Sequence, residues 1–281
     1  LRTIPIQQIL NEQILGKKLR INFCRMPKHI YIKGLFVISC IFLLQACAAQ
    51  SHLIQDELET VTKEDLKYYL YYPQDYFSSE NESFGLLLFL HGGGESGREV
   101  EEIKETGPPK LLVEGKQFPF LILAPQNPHE KKWWNTQAVM QLLDSVVDNN
   151  RVDKKRIYLT GLSRGGSAAW ELATQYPDTF ASLAVVCGMA PLPYAHWIDR
   201  DLPIWVFHGD QDEVIDVEES DKMVDKLKEM GYDVRYTRYK GVGHNACSHT
   251  LLPLAQFLRV LYCVCPHRCK HDLTQTYRLT L

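Results

Sequence analysis

The chain has 281 residues, 45% of them hydrophobic and 23% charged, the mix of an ordinary globular protein and not of a disordered or collagen-like one. Its 31 basic and 34 acidic residues leave a net charge of −3, without the basic excess that a nucleic-acid partner calls for. No apolar run reaches the ~18 residues of an ordinary membrane span, and eight cysteines in so long a chain do not make a disulfide scaffold.

Residues 1–25 lie upstream of Met26, a plausible start, and read as an over-extended gene model. Residues 26–46 open with Lys28 and Lys33, continue through an apolar stretch from Leu35 to Leu44, and end Leu44-Gln45-Ala46 before Cys47. The apolar part has the length of a secretory h-region and is too short to cross a bilayer. Its end resembles a bacterial lipobox. That resemblance implies a lipoprotein signal peptide over 26–46, a diacylglycerol on Cys47, and a protein held by lipid at the periplasmic or outer side of a bacterial cell envelope. Residues 47–63 are polar and are expected to form a tether.

Beyond the tether, strands and helices alternate. Lys67–Tyr72 reads as a strand. Phe84–Leu90 (FGLLLFL) and Phe118–Ala124 (FPFLILA) read as strands buried on both faces. Residues 137–148 place Val139, Leu142, Leu143, Val146 and Val147 on one helical face. Arg156–Thr160 is the next expected strand, followed by a helix over Ser167–Gln175, strands over Ala181–Cys187 and Pro203–Phe207, a helix over Glu218–Met230 and a last strand over Val234–Tyr239. This alternation predicts an α/β fold with a mostly parallel central sheet and helices on both faces, as one domain over 64–260.

Three punctuated loops carry the chemistry. Gly161-Leu162-Ser163-Arg164-Gly165-Gly166 falls between a strand and a helix, where a sharp turn needs glycines around an exposed serine. Read blandly, it is a glycine turn with a capping serine. Asp212 follows another strand, in His208-Gly209-Asp210-Gln211-Asp212. An acid there can orient a histidine on the next loop; otherwise the segment is a solvated acidic turn. His244 follows the last strand and carries the side chain suited to a general base near neutral pH. The order Ser163, Asp212, His244 is that of the α/β-hydrolases. A fourth loop, His91-Gly92-Gly93-Gly94, can aim backbone N–H groups at an oxyanion. It is no phosphate loop, because Gly97 is followed by Arg98-Glu99 and not by Lys-Ser or Lys-Thr.

From about Tyr69 to His244 the sequence is similar to the bacterial "predicted peptidase" or esterase group of the α/β-hydrolases, which borders the phospholipase/carboxylesterase, feruloyl esterase D-like and polyhydroxybutyrate-depolymerase-like enzymes. The matching pieces include LLLFLHGGGESG (86–97), RIYLTGLSRGG (156–166), LPIWVFHGDQDEVI (202–215) and GVGH (241–244). The resemblance implies Ser163 as nucleophile, Asp212 as acid and His244 as base, with oxyanion N–H groups from Gly93 and Arg164. Asp210 is the rival acid. Trp133 and Trp134 are candidate walls of a substrate pocket, beside Gly94, with core packing as their plain alternative. Arg164 stands where Met is commoner; its side chain is expected to pair with an acidic residue, or else to hang a charge over the cleft. Cys187 reads as a small buried hydrophobe.

The expected activity is serine ester hydrolysis through an acyl-enzyme, on a small-molecule or polysaccharide-linked ester, with no cofactor and no metal. A prolyl oligopeptidase-like peptidase and a non-catalytic binding protein are the alternatives. Residues 261–281 form an atypical tail. Cys263, Cys265, Cys269, His267 and His271 there do not have the usual zinc spacing, and a reading-frame shift near Thr250 accounts better for its departure from the family.

Overall fold

Seven consecutive apolar residues, Phe84 to Leu90, can all be buried only in a sheet covered on both faces. A computed structural model has that architecture. The structure describes residues 52–59, 64–97 and 99–246. The strands are β1 (His52–Glu59), β2 (Asp65–Tyr72), β3 (Phe84–Leu90), β4 (Leu121–Pro125), β5 (Val152–Leu162), β6 (Ser182–Val186), β7 (Ile204–Gly209) and β8 (Val234–Tyr239). They form one sheet in the order β1-β2-β4-β3-β5-β6-β7-β8. β2 runs antiparallel to β1 and β4, and every other neighbouring pair is parallel. Parallel neighbours need crossovers, supplied by helices α1 (Gly107–Val113), α2 (Thr136–Asn149), α3 (Arg164–Gln175) and α4 (Val217–Glu229) and, between β6 and β7, by a 3-10 turn over Leu192–His196. This is the α/β-hydrolase fold.

The period-two geometry of β3 divides its side chains between two cores. Leu86, Leu88 and Leu90 join Val139, Leu142 and Leu143 of α2 and Met223, Val224 and Leu227 of α4. Leu87 faces the other way, with Phe120, Ile122, Tyr158 and Phe207, against Leu111 and Leu112 of α1. Each such leucine, fully buried, contributes about 1.5–3 kcal/mol relative to exposure. The helices start where polar caps take their first N–H groups: the Asn135 side chain accepts from Ala138 N at 3.1 Å, and Asp216 accepts from Glu218 N at 3.0 Å.

Several expectations change. The tether contains β1, whose backbone pairs with β2 from His52↔Tyr72 to Glu59↔Asp65. It is an edge strand with Gln55, Asp56 and Glu57 exposed, and its polarity hid it. Phe118–Phe120 lead into β4 without joining it; Phe118 N–H donates to the Tyr71 hydroxyl at 3.2 Å instead. α1 was not expected, since Gly107-Pro108-Pro109 reads as a loop; Pro in the first turn costs a helix nothing, because those N–H groups lack acceptors anyway. The signal peptide, Cys47, and the chain beyond 246 lie outside the described residues.

Candidate active site

β5 ends at Leu162 and α3 begins at Arg164, so one residue, Ser163, makes the whole turn. It sits at φ 55°, ψ −117°, a backbone conformation that side-chain-bearing residues rarely adopt and that stores strain. The flanking glycines permit it. A Cβ on Gly161 would strike the Gly165 carbonyl, and one on Gly165 would strike the carbonyls of Leu90 and His91. Ser163 N–H donates to Val186 O at 2.8 Å, which locks the turn to β6. The serine does not cap α3 with its side chain. Its Oγ lies 2.8 Å from His244 Nε2.

His244 Nδ1 lies 2.8 Å from Asp212 Oδ2 and 3.0 Å from Oδ1. Because the carboxylate only accepts, Nδ1 carries the hydrogen and Nε2 presents its lone pair to the serine. Burial of Asp212 by itself would raise its carboxyl. Hydrogen bonds from Ile215 N–H, His244 and Val214 N–H outweigh that and hold it below the ordinary aspartate value. Asp212 therefore stays ionised, as a partner to a developing imidazolium must. Asp210 is elsewhere: its Oδ1 accepts from Gly241 N–H at 2.7 Å.

The glycine loop crosses the far side of Ser163, where an ideal Cβ on Gly92 would lie 3.6 Å from Ser163 Cβ. His91 is fully buried. Its Nδ1 bonds the Gly92 carbonyl at 2.8 Å, and its Nε2 accepts from Asn127 N–H at 3.0 Å. Burial, with the Arg164 charge adding to it, depresses this imidazole to about 4, so it is neutral and strictly structural.

Among the described residues Arg164 does not pair with an acidic side chain. Its Nη1 donates to Glu130 O at 2.8 Å, Lys132 O at 3.2 Å and Ser96 Oγ at 3.3 Å, because the loop over 128–133 presents backbone carbonyls there. The guanidinium packs on Gly93, where a Cβ would stand 2.9 Å from Nη2. Arg164 is also the first residue of α3, so its own backbone N–H has no acceptor within the helix.

A cleft of about 630 Å³ opens over Ser163, lined among others by Gly93, Gly94, Trp133, Arg164, Met189, Val214, Ile215 and His244. A second cavity of about 330 Å³ shares Trp133 and Met189 with it. Trp133 is 58% exposed and forms the common wall. Trp134 is not part of the cleft. It is buried in the main core, donates Nε1–H to His91 O at 3.3 Å, and packs its ring 4.8 Å from that of His91. Here the core alternative holds, since the indole N–H finds a backbone acceptor beneath the loop.

Two residues stand behind the acid: His208, which sequence reasoning passed over, and Cys187, buried as expected from the sequence. His208 is fully buried, with Nε2 3.1 Å from Asp212 Oδ2. Its only signal is its place at the end of β7 in the His-Gly-x-x-Asp stretch. Cys187, buried at φ 48°, has Sγ 3.7 Å from His244 O. Cys187, His208 and Asp212 bring donor atoms within 4.8 Å of one another. Both ring nitrogens of His208 and both oxygens of Asp212 are already hydrogen-bonded, so the set is committed to holding the acid.

Residues 118–262 match the model of the Phospholipase/Carboxylesterase family, over half the chain, and the chain belongs to that family. Acyl-protein thioesterase 1 of Neurospora crassa is 29% identical over 133 residues, covering 42% of this chain and 50% of that protein. Acyl-protein thioesterase 1 of Gibberella zeae is 22% identical, covering 65% of this chain and 93% of that one. Among solved structures, a thermostable esterase superposes with a TM-score of 0.59 and 28% identity over 75% of this chain and 60% of its own. The chain thus spans between half and nearly all of the length of these relatives.

Proposed function

We propose that the protein is a serine hydrolase of carboxylic esters, with Ser163 as nucleophile, His244 as base and Asp212 as its orienting acid. The observation that carries this reading is the continuous line Ser163 Oγ–His244 Nε2, 2.8 Å, and His244 Nδ1–Asp212 Oδ2, 2.8 Å, at the floor of an open cleft. His244 takes the Ser163 hydroxyl proton as Oγ attacks the ester carbonyl. The tetrahedral oxyanion accepts from the backbone N–H groups of Gly93 and Arg164. The imidazolium then gives its proton to the leaving alkoxide, which departs and leaves an acyl-enzyme. Water, deprotonated by His244, attacks the acyl carbon, and collapse of the second intermediate frees the acid and restores Ser163. Because Nε2 must be unprotonated to begin, turnover falls on acidification.

Trp133, Met189 and Val214, all large and exposed, line the cleft and favour an acyl or aryl group on one side of the ester. Fluorophosphonate labelling at Ser163, with turnover of p-nitrophenyl, feruloyl, acetyl-xylan, thioester and peptide substrates, tests the assignment. Labelling with ester turnover supports it. Cleavage of peptides alone would make the protein a peptidase, and absence of both labelling and turnover would make it a binding protein.

We propose further that Cys47 carries lipid and attaches the protein to the bacterial cell envelope, on the strength of the basic, apolar and Leu-Gln-Ala-Cys order over 26–47. A Cys47→Ala variant should lose the lipid in mass spectra and partition into the aqueous phase. An unmodified N-terminus at Ala48 in the unaltered protein would end that reading.

A further inference from the structure

The two oxygens of Asp212 are held in different ways. Oδ1 stands 3.0 Å from His244 Nδ1 but also accepts from Val214 N–H and Ile215 N–H, each at 2.9 Å, so the backbone fixes it. Oδ2 accepts from His244 at 2.8 Å, and among the described residues its other partner is His208 Nε2 at 3.1 Å. Without His208, Oδ2 would be held only by the imidazole that it is there to orient.

His208 is itself pinned. Nε2 also faces Ile215 O at 2.9 Å. Both of its neighbours are pure acceptors, so Nε2 carries a hydrogen. In the neutral ring Nδ1 then accepts from the Ser220 hydroxyl at 2.7 Å. Ser220 is buried in the first turns of α4, and the rings and side chains of His208 and Asp212 have no exposed surface. The acid is thus tied through His208 to the wall of the core.

We infer that His208 is a positioning residue for the hydrolytic reaction: it holds Asp212 Oδ2, and so the tautomer and orientation of His244, with Ser220 fixing its ring. The inference rests on the ester hydrolase reading, and it assigns no contact between His208 and substrate. A space-filling core histidine would sit in the same place, so the test must separate orientation from folding.

Full-length His208→Leu, His208→Gln and Ser220→Ala are compared with the unaltered protein on p-nitrophenyl acetate. Rates are taken per active site, counted by fluorophosphonate titration. His208→Leu should lower kcat about 10- to 100-fold with KM unchanged, the worth of one hydrogen bond to a charged group. His208→Gln, which keeps a side-chain N–H, should recover much of that loss, and Ser220→Ala should lose only a few-fold. In an Asp212→Asn background the His208→Leu change should cost little more, because members of one unit do not add.

A purely structural role predicts fewer titratable sites, each working at the normal rate, and a role apart from Asp212 predicts a full multiplicative loss per site in the Asp212→Asn background. Either result overturns the inference. Should His208→Leu fail to fold, His208→Gln and Ser220→Ala still report through the downfield proton resonance of the His244–Asp212 hydrogen bond. It should persist in His208→Gln and broaden in Ser220→Ala, and an unchanged resonance in Ser220→Ala with unchanged kcat would refute the Ser220 link. Absence of turnover and labelling in the unaltered protein would instead refute the ester hydrolase reading, and the proton resonance would still test His208.

Discussion

The two sides of the cleft are built by different means. On the Ser163 side, backbone does most of the holding: Ser163 N–H on Val186 O, glycines that leave no room for a Cβ, and two N–H groups on Asp212 Oδ1, with His208 as the side-chain exception. On the glycine-loop side, side chains do it: His91 on Asn127 N–H, Gln126 on Glu95 O, and Arg164 on the carbonyls of Glu130 and Lys132. Backbone geometry demands particular residues at particular spacings. A side-chain brace can be supplied by more than one residue type, so it leaves no fixed spacing in the sequence.

The largest effects should fall on the backbone-built side. Ser163→Ala and His244→Ala should each lower kcat by about 10⁴-fold or more and by comparable factors, since the members act as one unit. Circular dichroism should be unchanged, and Ser163→Ala should abolish fluorophosphonate labelling. Much milder loss in His244→Ala would mean that another base serves Ser163. Asp212→Asn should come next, at about 10⁴-fold or somewhat less. Asp210→Asn should stay within about tenfold, because Asp210 steadies Gly241 N–H and the Gln211 side chain and a single such bond is worth about 1–2 kcal/mol. If the two aspartates ranked the other way, the side of the cleft that holds His244 would be misassigned.

The sequence made the backbone-built side legible for the same reason. FGLLLFL has no home except a central strand, and Phe84–Leu90 is β3 to the residue. The expected helix over 137–148 lies inside Thr136–Asn149. The turn at Ser163 needed glycines at 161 and 165, and they could be read. What could not be read depends on side chains meeting across the chain. Adjacent tryptophans look alike in sequence, yet Trp134 turns inward to the His91 carbonyl while Trp133 stays out. Arg164 was expected to seek a carboxylate and found carbonyls. His208 carries no signal beyond its place in a motif, because its partners Ser220 and Ile215 lie in later segments. β1 is legible only by its pairing, since a polar edge strand has the composition of a tether.

A pH titration of stability sharpens the contrast from the other side. His91 titrates at about 4 in the folded protein and at about 6.5 when unfolded. Above pH ~6.5 both states hold it neutral and its full contribution is present. As pH falls from ~6.5 towards ~4, the unfolded chain takes up a proton that the folded one refuses. Stability should drop by about 3 kcal/mol across that window. Urea midpoints at pH 7 and pH 4.5 measure it, and His91→Gln should flatten the slope. The depressed carboxyl of Asp212 acts in the same direction but lower: its contribution is present above the unfolded aspartate value and is lost as pH falls through the folded one. An equal slope in His91→Gln would show that the glycine loop is not what acid loosens first.

The smallest effect is expected at Arg164, where the two sides meet. Its backbone N–H belongs to the turn after Ser163, while its guanidinium belongs to the glycine-loop side. Arg164→Met keeps the first and removes the second. The lost bonds are charge-assisted, but the side chain is half-exposed, so water takes over part of their work. We expect about a three- to tenfold fall in kcat/KM. Most of it should be a rise in KM for aryl esters, because the carbonyls released belong to the loop that carries Trp133. All three bonds leave the terminal nitrogen Nη1, which a lysine ammonium falls about one bond short of, so Arg164→Lys should behave like Arg164→Met and not like the unaltered protein. Steady-state kinetics on p-nitrophenyl and feruloyl esters decide it. A loss confined to kcat would place the guanidinium's work at the oxyanion, through Gly93, and no loss in either term would leave the Trp133 loop to its other supports, Asn127 on Lys132 O and the His129–Glu64 contact.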